Sequence, residues 1–152
     1  MDTMNNAIRA GMESSTPPKK EAMATAADIM TRDLITFRPD QNIRSAIDLL
    51  LRHRISGAPV VGEGRQLLGT LSEGDCLRAL SAGSYDGEPV AAEHLVRDLM
   101  NREPLTVAPS TDIYAVTHAF VNNDVRRLPV VDDGKVVGQV SRRDVLKVIC
   151  RM

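Results

Sequence analysis

The sequence predicts an α+β fold built from two β-α-β-β-α repeats, packed sheet to sheet about a pseudo-two-fold axis. The pattern apolar-Gly-x-apolar-Ser-x-x-Asp occurs twice, at 68–75 and 137–144, each time after a Pro-Val-Val segment. An amphipathic helix pattern precedes each Pro-Val-Val. A single unit of roughly 55 residues is too small to cover its own sheet face, which a second copy can cover.

The duplication defines the predicted organisation of the chain. Residues 26–64 align with 96–134 without a gap, and a one-residue slip then brings Gly69 onto Gly138. We therefore predict a mostly disordered tail over 1–25, repeat one over 26–81, a linker over 82–94 and repeat two over 95–152. The tail is rich in Met, Ala, Ser and Thr and shows no sustained periodicity.

Each element of repeat one has a local signal. The apolar segment 34–37 predicts a short strand that ends before Pro39, and the stripe over 43–51 predicts a helix capped by Asp40 or Asn42. Segments 58–61 and 66–72 predict strands joined by a glycine turn, and 72–80 predicts a second helix.

Repeat two shows the same order of signals. Segment 105–107 predicts a short strand, 112–123 a helix, 129–132 and 135–141 strands, and a last helix begins at Arg142.

Composition narrows the class of protein. The formal net charge is −1 and aromatic residues make up 3%, so neither nucleic acid nor an anionic membrane is an expected partner. Cys76 and Cys150 are isolated, which predicts no disulfide or zinc site and a packing role for Cys76. No nucleophile–base pair or metal-ligand set can be assembled, so we expect neither catalysis nor a bound metal. We expect a cytoplasmic protein.

The duplicated Ser-x-x-Asp segments, Ser72/Asp75 and Ser141/Asp144, are the candidate sites. Ser-x-x-Asp at a helix start is also a capping box, in which both side chains satisfy free backbone N–H groups. The same helix start can instead hold a phosphate, while the carboxylate accepts hydrogen bonds from a ribose. Gly69 and Gly138, three residues before each Ser, would allow close backbone approach.

Taken in order and in duplicate, these motifs resemble tandem cystathionine-β-synthase (CBS) domains, a pair often called a Bateman module. The resemblance covers about residues 26–150. It rests on Asp28-Ile29-Met30 and Asp98-Leu99-Met100, on Gly57-Ala58-Pro59 and Arg127-Leu128-Pro129, and on the Gly-x-x-Ser-x-x-Asp closures.

The resemblance implies a regulatory module that binds adenosine-containing ligands: AMP, ADP or ATP, or in some members S-adenosylmethionine or NAD(H). It also implies dimerisation into a flat disc. Carried over by position, it assigns one site to Thr36, Gly57, Ala58, Ser72 and Asp75, and the other to Thr106, Arg127, Leu128, Ser141 and Asp144. The sequence itself adds Arg126, Arg142 and Arg143 to the second site as neighbouring basic residues.

The two sites are not expected to be equal. Arg126, Arg127, Arg142, Arg143 and Lys135 all belong to repeat two, whereas repeat one carries Glu73. We therefore predict that the Ser141/Asp144 site binds the more highly phosphorylated nucleotide. The Ser72/Asp75 site is expected to be weaker or to prefer a less charged adenosyl ligand.

Two functions remain open from the sequence. The first is a non-enzymatic adenine-nucleotide sensor that signals through dimer geometry or a separate effector protein. The second is a dimeric interaction module without a small-molecule ligand, in which both Ser-x-x-Asp segments are helix caps only. Tyr114, on the second amphipathic helix, could pack at a contact between modules or be an ordinary exposed tyrosine.

Overall fold

A computed structural model describes residues 23–83 and 94–151 and confirms the predicted mixed fold with two small antiparallel sheets. In repeat one, the elements are α1 (Ala26–Ile29), α2 (Ile43–His53), β1 (Gly57–Val61), a 3-10 turn (Glu63–Arg65), β2 (Leu67–Ser72) and α3 (Glu73–Gly83). In repeat two, they are α4 (Val96–Leu99), α5 (Ile113–Asn122), β3 (Arg127–Asp132), β4 (Lys135–Ser141) and α6 (Arg142–Arg151). Residues 1–22 of the predicted tail and 84–93 of the predicted linker lie outside the described residues; the last tail residues are ordered, since the Ile113 N–H donates to the Ala24 carbonyl at 2.9 Å.

The long helices follow the predicted apolar periodicity. In α2, Ile43, Ala46 and Leu50 are buried, and in α5 the equivalent positions are also buried. The side chain of Asn42 accepts a hydrogen bond from the Arg44 N–H at 2.8 Å, so Asn42 rather than Asp40 caps α2.

The leading strands are shorter than predicted. Segment 34–37 contributes a single parallel bridge between Phe37 and Val60, and 105–107 contributes one between Val107 and Val130. Each sheet is therefore a two-stranded ladder whose first strand carries one bridged residue on its outer edge.

The short helices α1 and α4 exchange between the repeats. The Ala26 N–H donates to the Thr111 carbonyl at 2.8 Å, and at the equivalent positions the Val96 N–H donates to the Gln41 carbonyl at 2.9 Å. Ala26 is completely buried in the repeat-two core, and Val96 in the repeat-one core. Each repeat thus completes the hydrophobic core of the other.

Segments 30–37 and 100–107 follow α1 and α4, and we call them the leaders. Each leader crosses the sheet of the other repeat and then returns to its own repeat. Asn101 exchanges two backbone hydrogen bonds with Thr70 of repeat one, at 2.8 and 3.0 Å. Six residues later, Val107 bonds to Pro129 of its own repeat at 3.0 Å. Thr31 and Gln139 form the equivalent crossing at 2.9 and 3.0 Å. The leaders therefore join the two sheets.

Gly69 and Gly138 make this crossing possible. A Cβ on Gly69 would lie 2.4 Å from the Asn101 carbonyl oxygen, and one on Gly138 would lie 2.4 Å from the Met30 sulfur. The close backbone approach predicted at these glycines therefore exists, but its partner is the leader of the other repeat rather than a ligand.

The two sheets also meet at both ends of the strands. The guanidinium of Arg127 donates to the Gly57 carbonyl at 2.6 Å at one end. At the other end, the Leu67 N–H donates to the Gly134 carbonyl at 2.9 Å. Opposite ends are thus tied by contacts between the repeats.

Candidate functional site

A cleft of about 500 Å³ opens where β2 ends and α3 begins. Residues of both repeats line it. From repeat one come Ser56, Gly57, Ala58, Thr70, Leu71, Ser72, Glu73, Gly74, Asp75 and Arg78; from repeat two come Asn101, Pro104, Leu105, Asp124, Val125, Arg126, Arg127, Pro129 and Gln139.

Asp75 is the buried polar centre of this cleft, with 9% of the residue exposed. Its Oδ2 accepts hydrogen bonds from the Ser72 N–H at 2.8 Å and from the Ser72 hydroxyl at 2.9 Å. The Asp75 N–H in turn donates to the Ser72 Oγ at 3.2 Å. The predicted capping box therefore forms, and it also fixes the carboxylate at the cleft wall.

Arg78 forms an ion pair with the other oxygen of Asp75, Oδ1. The two residues lie three apart on α3, a spacing that places side chains on the same helix face. A carboxylate oxygen has two lone pairs, so Oδ1 retains one acceptor position for a hydroxyl group.

Arg127 crosses the repeat interface into the same cleft. In addition to its bond to Gly57, it has a buried Nε atom without a hydrogen-bond partner. Burial lowers the pKa of Arg127, as does the charge of Arg126, while the charge of Glu73 raises it. An anion in the cleft would compensate this partly desolvated cation.

The structure places the basic residues predicted for the Ser141/Asp144 site in different parts of the molecule. The backbone of Arg127 pairs with Ser141, as adjoining strand ends should, yet its side chain lines the Ser72/Asp75 cleft together with Arg126. Lys135 begins β4 and pairs with Asp132, at the opposite end of that strand from Ser141. Arg126 and Arg127 thus line the Ser72/Asp75 cleft, and Lys135 lies far from Ser141.

Ser141 and Asp144 form the equivalent capping box. The Ser141 N–H donates to Asp144 Oδ2 at 2.8 Å, and the Asp144 N–H donates to Ser141 Oγ at 3.1 Å. Arg142 turns back to donate to the Val125 carbonyl at 2.8 Å, while Arg143 is exposed. None of these four residues lines the cleft.

The remaining predicted residues take different places. Gly57 and Ala58 line the cleft, whereas the side chain of Leu128 is completely buried in the repeat-two core. Thr36 and Thr106 do not line the cleft; Leu105, the neighbour of Thr106, does. The cleft therefore draws on the leader of repeat two rather than on Thr36 of repeat one.

Several lining residues were not predicted. Arg78 could have been found from its helical spacing to Asp75. Asn101, Pro104 and Leu105 have no comparable signal, because only the crossing of the leader brings them to Ser72.

The sequence profile of the CBS domain matches residues 26–82 and 96–151. The chain belongs to the CBS-domain family. The chloroplastic CBS domain-containing protein CBSX1 of Arabidopsis thaliana is 31% identical over 162 residues, covering 90% of this chain and 68% of that protein.

Other relatives are much longer than the CBS pair. Inosine-5'-monophosphate dehydrogenase of Aquifex aeolicus is 32% identical over 115 residues, covering 74% of this chain but 22% of the enzyme. The protein MJ1225 of Methanocaldococcus jannaschii is 30% identical over 122 residues, covering 80% of this chain and 41% of that protein. The chain therefore spans less than half of these two relatives.

Two solved structures share the fold of this CBS pair and contain ligands. The crystal structure of CBSX2 in complex with AMP is 30% identical, with a TM-score of 0.74, and covers 84% of this chain and 96% of that one. The CBS pair of MJ0100, in complex with 5'-methylthioadenosine and S-adenosylmethionine, is 25% identical, with a TM-score of 0.71, and covers 85% and 98% of the two chains.

Within residues 23–83 and 94–151, no helix is both long and apolar enough to cross a bilayer.

Proposed function

We propose that this CBS pair is a non-catalytic regulatory module that binds an adenosine-containing ligand in the Ser72/Asp75 cleft. The observation that carries the proposal is the cleft itself, a hollow of about 500 Å³ with a fixed carboxylate and arginines from the other repeat. The AMP complex of CBSX2 and the S-adenosylmethionine complex of MJ0100 support this class of ligand.

Each group in the cleft has a chemical role in this proposal. The carboxylate of Asp75 accepts a hydrogen bond from one ribose hydroxyl through Oδ1. Arg126 and Arg127 donate to the phosphate, which also lies near the positive end of the α3 dipole. The backbone at Gly57 and Ala58, whose own side chains are small, faces the base.

Binding would act on the arrangement of the two repeats. The ligand contacts both walls of the cleft, so it favours the arrangement in which those walls fit it best. A ligand shifts an equilibrium only by its difference in affinity for the two arrangements. A dimer partner or a separate effector protein would then respond to that shift.

Calorimetric titration of AMP tests the proposal, with Asp75→Ala and Asp144→Ala as a matched pair. Both substitutions remove the same capping box, but only Asp75 lines the cleft. We expect Asp75→Ala to weaken AMP binding about tenfold or more, roughly 1.4 kcal/mol, and Asp144→Ala to leave it within about twofold.

Thermal unfolding extends this test to other ligands. AMP, ADP, ATP, NADH and S-adenosylmethionine are compared at millimolar concentration, since a ligand at about 100 times its Kd stabilises a protein by roughly 2.7 kcal/mol. A flat response to all five would contradict ligand binding.

A second candidate function, an interaction module without a small ligand, is favoured by the exposed apolar side chains. Leu51 and Val121 occupy equivalent positions on α2 and α5 and are 74% and 75% exposed; Leu77 and Leu146 are equivalent on α3 and α6. Because both repeats present the same pattern, we propose that a second copy of this chain covers these exposed side chains. Dimerisation is compatible with ligand binding, and only the titrations separate the two functions.

A further inference from the structure

The charges that line the cleft are balanced in number. Three cations, Arg78, Arg126 and Arg127, face three anions, Glu73, Asp75 and Asp124. A site built for a polyphosphate needs an excess of positive charge, because each additional phosphate adds negative charge that must be compensated. Counted over all six charged residues, the cleft has no excess of positive charge.

Two of the anions already have partners. Asp75 forms its ion pair with Arg78 inside the cleft, and Asp124 lies 3.8 Å from Arg142, which is outside it. What remains for a ligand is Arg126 and Arg127 opposed by Glu73, an excess of one cation.

Glu73 lines the same cleft as these two arginines. It is the first residue of α3, next to Ser72, and its N–H donates to the Ser56 carbonyl at 2.8 Å. Its negative charge raises the pKa of Arg127, whereas the positive charge of Arg126 lowers it. The equivalent residue in repeat two is Arg142, so this carboxylate belongs to one repeat only.

We infer that Glu73 determines the charge of the ligand: the cleft accepts an adenosine ligand with one phosphate and rejects the triphosphate. One phosphate group can be met by Arg126 and Arg127, which both line the cleft. The further phosphates of ATP would meet the carboxylate of Glu73, and like charges placed side by side are strongly disfavoured. This inference rests on the proposed function and attributes to Glu73 the preference for a less charged adenosyl ligand that the sequence predicts for the Ser72/Asp75 site.

The test is calorimetric titration of AMP and ATP, in EDTA so that no metal masks the phosphates. We expect the wild-type chain to bind AMP more tightly than ATP. Glu73→Gln should lower the ratio of the ATP Kd to the AMP Kd by roughly fivefold or more, mainly through tighter ATP binding.

Glu63→Gln is the matched control. It makes the same change in net charge in the 3-10 turn, beyond the far end of the five-residue strand β1. At about 3.3 Å per residue, the length of β1 separates Glu63 from the cleft by more than a Debye length of about 8 Å. The ratio of the ATP Kd to the AMP Kd should therefore stay within about twofold of the wild-type ratio.

Arg126→Gln tests the phosphate contact separately, because it removes a positive charge from the cleft rather than a negative one. It should weaken AMP binding and leave the binding of adenosine, which has no phosphate, within about twofold. An unchanged ATP-to-AMP ratio in Glu73→Gln, an equal change in Glu63→Gln, or a wild-type preference for ATP would overturn the inference while leaving nucleotide binding intact. If the wild type binds neither nucleotide, the proposed function fails as well.

Discussion

Gly69 and Gly138 show how residues at equivalent positions can differ in what they tolerate. Both lie where the leader of the other repeat crosses the sheet. The nearest obstacle at Gly69 is a backbone oxygen, whereas at Gly138 it is the flexible thioether of Met30.

We therefore expect Gly69→Ala to be the more damaging substitution. The Asn101 carbonyl is held by its hydrogen bond from Thr70 and cannot move without breaking the crossing, so the cost should be about 2–3 kcal/mol. Gly138→Ala should cost roughly 1 kcal/mol less, because Met30 can change rotamer. Urea unfolding of the two variants measures the difference, and an equal or reversed order would contradict the crossing geometry.

The two cysteines provide a chemical test of the core. Cys76 is buried, and burial, followed by the charge of Asp75, raises the pKa of its thiol; Cys150 is exposed. Since the thiolate is the reactive form, a raised pKa and burial both slow alkylation.

At pH 8, we expect Cys150 to react with a maleimide at least about tenfold faster than Cys76. Mass spectrometry of the partly labelled chain, with Cys150→Ser as a control, identifies the modified residue. Equal rates in the folded protein would show that the repeat-one core is open.

The capping boxes were predictable from the sequence, but their surroundings were not. Ser-x-x-Asp carries its geometry locally, because the three-residue spacing and the helix start specify the hydrogen bonds. The direction of the Arg127 side chain depends on how the repeats pack, and nothing near Arg127 in the sequence encodes that packing.

At the scale of elements, α1 and α4 belong to one repeat by sequence and to the other by packing. The apolar periodicity of α2 and α5 identified their buried faces correctly. It could not identify the exchange, since two similar repeats offer each short helix two similar apolar faces. The strands predicted at 34–37 and 105–107 shortened to single bridges because each leader has to leave one sheet before it reaches the other.

A double-mutant cycle tests the exchange. Val96→Ala should couple to Ile43→Val, which shares the repeat-one core, by about 0.5 kcal/mol or more. Val96→Ala and Val116→Ala, which lies in the repeat-two core, should be additive within about 0.3–0.5 kcal/mol. Chemical denaturation supplies the free energies of unfolding, and the opposite pattern of coupling would place α4 with its own repeat.

At the scale of the whole molecule, the exposed apolar side chains follow the internal symmetry. Leu51, Leu77 and their equivalents Val121 and Leu146 lie on the four long helices, together with Tyr114, which is 55% exposed. Since each of these four side chains has an equivalent in the other repeat, they suit a two-fold contact with a second copy.

We expect Leu51→Glu/Val121→Glu to shift the chain from dimer to monomer in sedimentation equilibrium, because a charge buried at the contact lacks a partner. The monomer should keep its helical circular dichroism, since both positions are exposed in a single chain. Leu105→Glu, an apolar-to-acidic change in the cleft rather than on these helices, is the control. A wild-type chain that sediments as a monomer at all concentrations would rule out the second copy.

The mutual exchange of α1 and α4 also bears on how such a molecule can arise. A polypeptide with only one of these repeats would have an uncovered core and a short helix with no neighbour of its own to cover. Two such polypeptides could satisfy each other by trading their first turns, as in domain swapping. Fusing the two genes would retain every one of those contacts while replacing an encounter in solution with a tethered one at high effective concentration.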